Sequence, residues 1–351
     1  MAMLLPLRQA LHLDGKRGAL ISAAHDVRWV TRGFIGDGMV LVTRDGAWLI
    51  TDSRWNACPD SDIATRWCDG SFIRCAADLC LTLDLEALYI QLDDLPVARY
   101  RRLKEYLDGA TALLPMNQVT DELRAVKSED EVRLIRRACG ITCEAFRQIV
   151  PELCEGISEQ EAAWLLNAEM MRRGADGLAF PTMVSFGENT ARCHAMPTER
   201  RLRPGDAVLI DMGCTVAGYH ADFTRILCMG EPSEQLIRLH QAVLLARSAA
   251  LNAIRPDANA GAIDHLARKA LTDAGFDSGF PHALGHGVGL EIHEQPSIST
   301  GSRHTLREGM TLAVEPAVYM PDLGVRIEDT LLLTASGPVP LTEYPTDILI
   351  L

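Results

Sequence analysis

Landmarks in the last two-thirds of the chain recur at a nearly constant distance, and this restricts the possible folds more than any local pattern does. Gly174 and Gly275, Phe180-Pro181 and Phe280-Pro281, Asp211 and Glu315, and Asp222 and Glu328 are each separated by 100 to 106 residues. The order of predicted elements around them also repeats. Ser128 followed by Glu131 reads as a capping box that opens a helix to about Ile149, closed by Pro151. Ser158 and Glu161 open a second helix that runs to Gly174, and strand-like segments follow at Thr182–Phe186, Ala207–Met212 and Gly218–Leu227. A helix over Glu234–Ile254, a break at Arg255-Pro256 and another helix ending at Gly275 then precede strand-like Met310–Tyr319 and Val325–Leu333. Residues 120–351 therefore read as one domain built from two copies of a helix–helix–hairpin unit.

Residues 1–119 have a different texture. Apolar, β-rich runs at Ala19–Ser22, Met39–Thr43, Trp48–Thr51, Leu88–Gln91 and Ala112–Pro115 alternate with turns at Asp37-Gly38 and Asp45-Gly46 and a helical pattern over Val97–Leu107. This region holds no cluster of chemistry-bearing side chains, so a structural or substrate-shaping role is expected. The 34 Lys and Arg against 47 Asp and Glu give a net charge of −13 with no basic cluster, which excludes nucleic-acid binding through phosphates. No apolar run reaches the roughly 18 residues of a membrane span, and no basic leader precedes a long apolar core, so a cytoplasmic protein is expected. The ten cysteines include no C-x-x-C pair, which predicts reduced, mostly buried thiols.

The acids at the repeated positions carry the chemistry. Asp211 and Asp222 are eleven apart, and a hairpin turning near Val216-Ala217 would set them opposite each other. Glu315 and Glu328, thirteen apart, would meet in the same way across a turn at Pro321–Gly324. Either pair alone fits acids that flank turns or form ion pairs with Arg225 and Arg326. Both pairs, at matching places in two facing copies, bring four carboxylates together in apolar strand contexts (VLIDMG, LAVEPAVY, VRIEDT). Such charges raise one another's pKa and call for compensation, which two divalent cations would supply.

The segment from Pro281 to Glu294, PHALGHGVGLEIHE, adds His282, His286 and His293 within twelve residues, with glycines on both sides of His286. Its GHGVG string superficially mimics a nucleotide loop, but no Lys-Ser/Thr follows and the dinucleotide spacing is absent.

Four motifs together resemble the pita-bread metallopeptidases, in their Xaa-Pro aminopeptidase and prolidase branch. They are DMG-x5-YHADFTR from Asp211 to Arg225, HALGHGVGLEIHEQP from His282 to Pro296, VEP around Glu315, and VRIED around Glu328. Thr51-Asp52-Ser53-Arg54 and Arg124-x-x-Lys127-Ser128 resemble the amino-terminal and linker signatures of the same family. The resemblance implies an α/β (α+β) chain: a creatinase-like domain over 1–119, then a pita-bread catalytic domain with a pseudo-twofold repeat over 120–351. It implies two divalent metal ions, with Asp211 on one, Asp222 and Glu328 bridging, and His286 and Glu315 on the other. Oxygen-rich ligation with one imidazole suits Mn²⁺, with Co²⁺ or Zn²⁺ as alternatives.

By the same resemblance, His194 and His293 contact the substrate amide and the developing oxyanion. His282 and Arg326 line the proline subsite and support the ligand strand, and Thr224 orients Asp222. The chain departs from the family pattern at Ala317, Ile226 and Cys193, none of which removes a ligand. The implied activity is metal-dependent hydrolysis of the bond between an N-terminal residue and proline, by a homodimer acting on a peptide with proline second. A dipeptidase often places an arginine beside the His-Glu-x-Pro segment to bind the free carboxylate. Here the segment continues Gln295-Pro296-Ser297-Ile298, which favours an aminopeptidase over a prolidase. The rival readings are a small-molecule C–N hydrolase of the same fold and a metal-free binding protein.

Overall fold

The computed structural model describes residues 4–276 and 279–351, and the chain divides into two compact units, Met1–Arg124 and Ala125–Leu351. In the first unit a six-stranded sheet runs in the order Ala64–Trp67, Ala47–Thr51, Met39–Thr43, Arg17–Ile21, Ala87–Ile90, Ala112–Pro115. The middle strands pair antiparallel and the outer ones join in parallel. Helices Phe72–Thr82 and Val97–Leu107 contribute Ile73, Ala76, Cys80, Leu103 and Leu107 to a core with Leu41, Ile50, Leu88 and Ile90. The strands expected from the sequence are present. Helices Leu4–Ala10, Ala24–Thr31 and Phe72–Thr82, and the short polar strand Ala64–Trp67, are elements not expected from the sequence.

One expectation fails here. Cys68 and Cys75 are joined by a disulfide, while the other eight cysteines are free. Cys68 directly follows the strand, Gly70 turns the chain at a φ of 139°, and Ser71 caps the helix that carries Cys75. That tight strand-to-helix turn brings the two Cα atoms to 6.4 Å, within disulfide reach. Nothing in the seven-residue spacing announces it.

The second unit shows the duplicated pattern directly. Both expected capping boxes form, at Ser128–Glu131 and Ser158–Glu161, and open helices Glu129–Ile149 and Glu159–Arg172. Helices Glu234–Ala253 and Ala260–Asp273 repeat them in the second copy. The main sheet runs Met183–Phe186, Ala207–Met212, Phe223–Cys228, then across a seam to Glu328–Thr334, Thr311–Val314, Gly285–Gly287 and Glu294–Ile298. Each copy thus contributes strands in mirrored order, and the copies meet where Phe223 pairs with Asp329 and Thr224 with Glu328. Phe146, from the first long helix, meets Phe223 edge-on at 5.2 Å beneath this seam. In the second copy Leu312, Leu331 and Leu333 join Leu239, Val243, Ala246, Ile263 and Ala267 of its helices in one core. No helix among the described residues is long and apolar enough to cross a membrane.

Two expected strands are interrupted. Met310–Tyr319 splits at Glu315-Pro316, because proline has no N–H for the ladder, and Val325–Leu333 splits at Ile327. The pieces Ala317–Tyr319 and Gly324–Arg326 form a separate two-stranded ribbon. In the first copy the tight turn falls at Ala217-Gly218, both with positive φ (47° and 78°), one residue later than expected.

Gly213 sits between Asp211 and that turn, and a Cβ there would lie 2.0 Å from the Ala221 carbonyl oxygen, a backbone atom that cannot yield cheaply. Gly213→Ala is expected to lower stability by about 1–3 kcal/mol, the range for forced overpacking. A urea-denaturation midpoint unchanged from wild type would show that the two backbones separate freely.

Candidate metal centre

Strand register gathers the site on one face of the sheet, in two adjacent rows. Met183 pairs with Asp211, Asp211 with Thr224, and Thr224 with Glu328. The pairing of Val314 with Asp329, carried one residue further, sets Glu315 across from Glu328. The first row is therefore Asp211, Thr224, Glu328, Glu315. Two residues along the strands lies the second row. His286 pairs with Ala313 and Ala313 with Thr330, and the Thr330 hydroxyl bonds both the N–H and the C=O of Asp222. Side chains two apart on a strand share a face, so both rows point the same way.

This register corrects one expectation and bears out another. Glu315 and Glu328 are direct cross-strand partners, as the thirteen-residue spacing suggests. Asp211 and Asp222 are not, because moving the turn by one residue shifts the register by two and puts Thr224 opposite Asp211. Asp222 is its diagonal neighbour.

Asp222, His286 and Glu328 offer ligand atoms that all lie within 4.8 Å of one another. His286 Nε2 is 3.6 Å from Asp222 Oδ2 and 3.7 Å from Glu315 Oε1. Its Nδ1 lies 3.0 Å from the Gly287 carbonyl, a contact that seats the proton on Nδ1 and leaves the Nε2 lone pair facing the acids. Burial, with the neighbouring His293 adding to it, pushes His286 down to about 4, so the imidazole is neutral at pH 7.

The acids are held in an unfavourable state. Burial is the main cause of the upward shift of Asp222, reinforced by the charges of Glu328, Asp211 and Glu315. Burial and then Glu328 push Glu315 well up, and Glu328 itself is raised to about 8 by burial and then by Asp211. Asp211 is raised by burial against the pull of Arg326. Its Oδ2 accepts from Arg326 Nη2, while its buried Oδ1 has no hydrogen-bond partner. Buried, mutually repelling carboxylates, an orphaned oxygen and a neutral imidazole form a donor set that fits divalent cations.

The flanking residues fall into place around this set. The Thr224 hydroxyl donates to Glu328 Oε2 at 2.7 Å, so it steadies Glu328 rather than Asp222, which corrects the expected role. Arg326 is fully buried and bonds Asp211, the Thr224 hydroxyl, the Cys193 carbonyl and the Tyr319 hydroxyl. Arg225 pairs with none of the site carboxylates, although it donates to the Glu328 backbone carbonyl at 2.7 Å. It pairs with Asp329 at 2.7 Å on the opposite face, where Arg247 holds the other oxygen. His282 lies between Phe280, at 4.8 Å between rings, and Tyr319, with Nδ1 3.6 Å from Glu315 Oε2. Burial lowers it to about 4 as well.

His293 is exposed, and its ring meets His286 edge-on at 4.4 Å. His194 is exposed too, in the neighbourhood of Asp211, His282 and His293. Sequence reasoning missed Tyr319 and Thr330. Tyr319 is in phase with Glu315 along the strand direction, and Thr330 follows Glu328 by two, so strand alternation was the available signal.

Comparison with known proteins agrees with this architecture. The profile of metallopeptidase family M24 matches residues 133–335, and that of the creatinase/prolidase N-terminal domain matches residues 4–126. An Xaa-Pro dipeptidase from Bacillus anthracis superposes with a TM-score of 0.93 at 31% identity, covering 100% of this chain and 99% of its own. An X-Pro aminopeptidase from Thermotoga maritima superposes at 0.90 with 30% identity, covering 98% of this chain and 100% of its own. The Xaa-Pro dipeptidase of Pyrococcus furiosus is 37% identical over 67% of this chain and 68% of its own length. The chain belongs to metallopeptidase family M24, with a creatinase-like amino-terminal domain ahead of a pita-bread catalytic domain.

The raised acids predict how the metal-free protein responds to pH. A folded-state pKa above the unfolded value means proton uptake on folding, so that stability falls as pH rises through the folded pKa. His286 is shifted the other way, but its contribution is complete above about pH 6.5. Between pH 6.5 and 8, chelated protein should therefore lose stability, by about 2 kcal/mol for each proton carried across that span. Added Mn²⁺ should oppose the loss. Thermal denaturation with and without chelator at the two pH values measures it, and a chelated protein more stable at pH 8 would contradict the acid cluster.

Proposed function

We propose that this chain is a two-metal exopeptidase that hydrolyses the bond between an N-terminal residue and proline in peptides longer than two residues. The observation that carries the reading is the pair of ligand rows on one sheet face, in a chain similar along its length to proteins named X-Pro aminopeptidase and Xaa-Pro dipeptidase. In this reading Asp211 and Asp222 would hold one ion and His286 and Glu315 the other, with Asp222 and Glu328 shared between them. Two divalent ions, Mn²⁺ before Co²⁺ or Zn²⁺ on the oxygen-rich donors, would supply a water of lowered pKa and polarise the scissile carbonyl.

The protein's own groups do the rest. Arg326 keeps Asp211 Oδ2 occupied, which leaves the orphaned Oδ1 as the oxygen available to an ion. Thr224 does the same for Glu328. His293 and His194, the exposed imidazoles beside the buried set, donate to the substrate carbonyl as negative charge develops there. His282, kept neutral by burial and seated between Phe280 and Tyr319, forms an uncharged wall suited to a proline ring. Proline's tertiary amide lacks an N–H and has a fixed φ, so a shaped pocket is needed to present it.

The His293-Glu294-Gln295-Pro296 segment offers no arginine for a dipeptide's terminal carboxylate, which favours the aminopeptidase over the prolidase. The same reading carries a homodimer, which light scattering in solution checks.

Release of the N-terminal residue from Ala-Pro-Ala and from Ala-Pro, after chelation and after Mn²⁺ addition, tests the proposal. Metal-restored cleavage of the tripeptide with little of the dipeptide is expected. The reverse preference would make the enzyme a prolidase. Inertness toward both with metal bound would favour a small-molecule C–N hydrolase of the same fold.

A further inference from the structure

Outside the metal cluster, one buried ion pair has no part in the chemistry so far described. Lys127 follows the start of the second unit, and its Nζ bonds Glu294 Oε1 and, at 3.2 Å, the Ala125 carbonyl. The two charged side chains are 1% and 3% exposed. A pair this deep gains little stability, because desolvation offsets the attraction, so its value lies in what it holds in place.

It holds the loop that ends in His293. Lys127 is itself fixed, its N–H bonding the Gly309 carbonyl while Val126 bridges Met310 at the edge of the ligand strand Thr311–Val314. At the other end, the Glu294 carboxylate lies where a side chain on residue 289 would be, 2.4–2.7 Å from the position a Cβ on Gly289 would take. The Gly289 carbonyl in turn accepts from the His220 N–H at 2.9 Å and lies 3.0 Å from His220 Nδ1, two residues before Asp222. The register of Gly285–Gly287 against Glu294–Ile298 is also broken at this point, an irregularity that re-aims side chains beside active sites. Glu294, the first residue of its strand, is drawn inward to Lys127, and His293 just before it lies with its ring edge-on to His286 at 4.4 Å.

We propose that Lys127 is a positioning residue for the reaction: through its buried ion pair with Glu294 it sets the orientation of His293 beside the metal ligands. The inference rests on the proposed role of His293 in binding the substrate carbonyl.

A double-mutant cycle on the Mn²⁺-loaded full-length enzyme tests it, with Ala-Pro-Ala as substrate. Lys127→Met should lower kcat roughly 10–100-fold, the range for residues that orient groups at a metal site, with KM and bound Mn²⁺ little changed. Lys127→Arg, which keeps the charge, should recover most of the loss. In a His293→Ala background, Lys127→Met should cost less than about twofold, since residues that act as a unit are non-additive. Glu294→Gln repeats the cycle if Lys127→Met does not fold. Full additivity with His293→Ala, or a loss explained by missing metal, would overturn the proposal. A second readout needs no activity: carbethoxylation of His293, followed by mass spectrometry, should proceed severalfold faster in the Lys127 variant. An unchanged rate also overturns it. Inertness of the wild-type enzyme toward the peptide would instead count against the functional reading.

Discussion

Four carboxylates on one face of a buried sheet repel one another strongly, and the catalytic unit is organised around that repulsion. Asp211, Asp222, Glu315 and Glu328 are each pushed up by burial, and all but Asp211 also by one another's charge. Arg326 relieves part of the strain at Asp211, and Thr224 part of it at Glu328. The remainder is what makes the face a cation site, because a divalent ion gains the most where charge is already concentrated and dehydrated. The opposite face of the same strand is treated differently. Asp329, next to Glu328, is neutralised by Arg225 and Arg247 and contributes only to the frame.

Much of this was legible in the sequence because it depends on spacing. The duplicated unit appears as offsets between landmarks, the capping boxes at Ser128 and Ser158 as short motifs, and the Glu315–Glu328 pairing as an odd separation across one turn. The failures are equally physical. Asp211 and Asp222 depend on whether a turn is centred on residue 216 or 217, and a sequence in which Ala217 adopts a left-handed φ gives no sign of it. The Cys68–Cys75 disulfide depends on one tight local turn, and the partner of the Thr224 hydroxyl and the Lys127–Glu294 pair are contacts fixed by tertiary packing. The last of these spans 167 residues, a distance over which no local pattern carries information.

The histidines show how environment divides one residue type into different tasks. His286 is buried and His282 half-buried, and both are neutral; the proposed reading makes one a ligand and the other a wall. His293 and His194 are exposed, and the same reading gives them the incoming carbonyl. The sequence places three of the four within twelve residues, but only burial distinguishes their work.

The seam between the two copies is short, with Phe223 and Thr224 facing Asp329 and Glu328. Rotation about that seam exchanges Asp222 with Glu328 and Thr224 with Thr330, and carries His286 onto Met183. Two identical chains joined along such an edge would present two imidazoles or none. Tying the halves into one polypeptide frees each to diverge, so the centre can keep a single nitrogen donor among its oxygens. Covalent duplication is thus a route from a symmetric scaffold to a site whose two sides differ chemically.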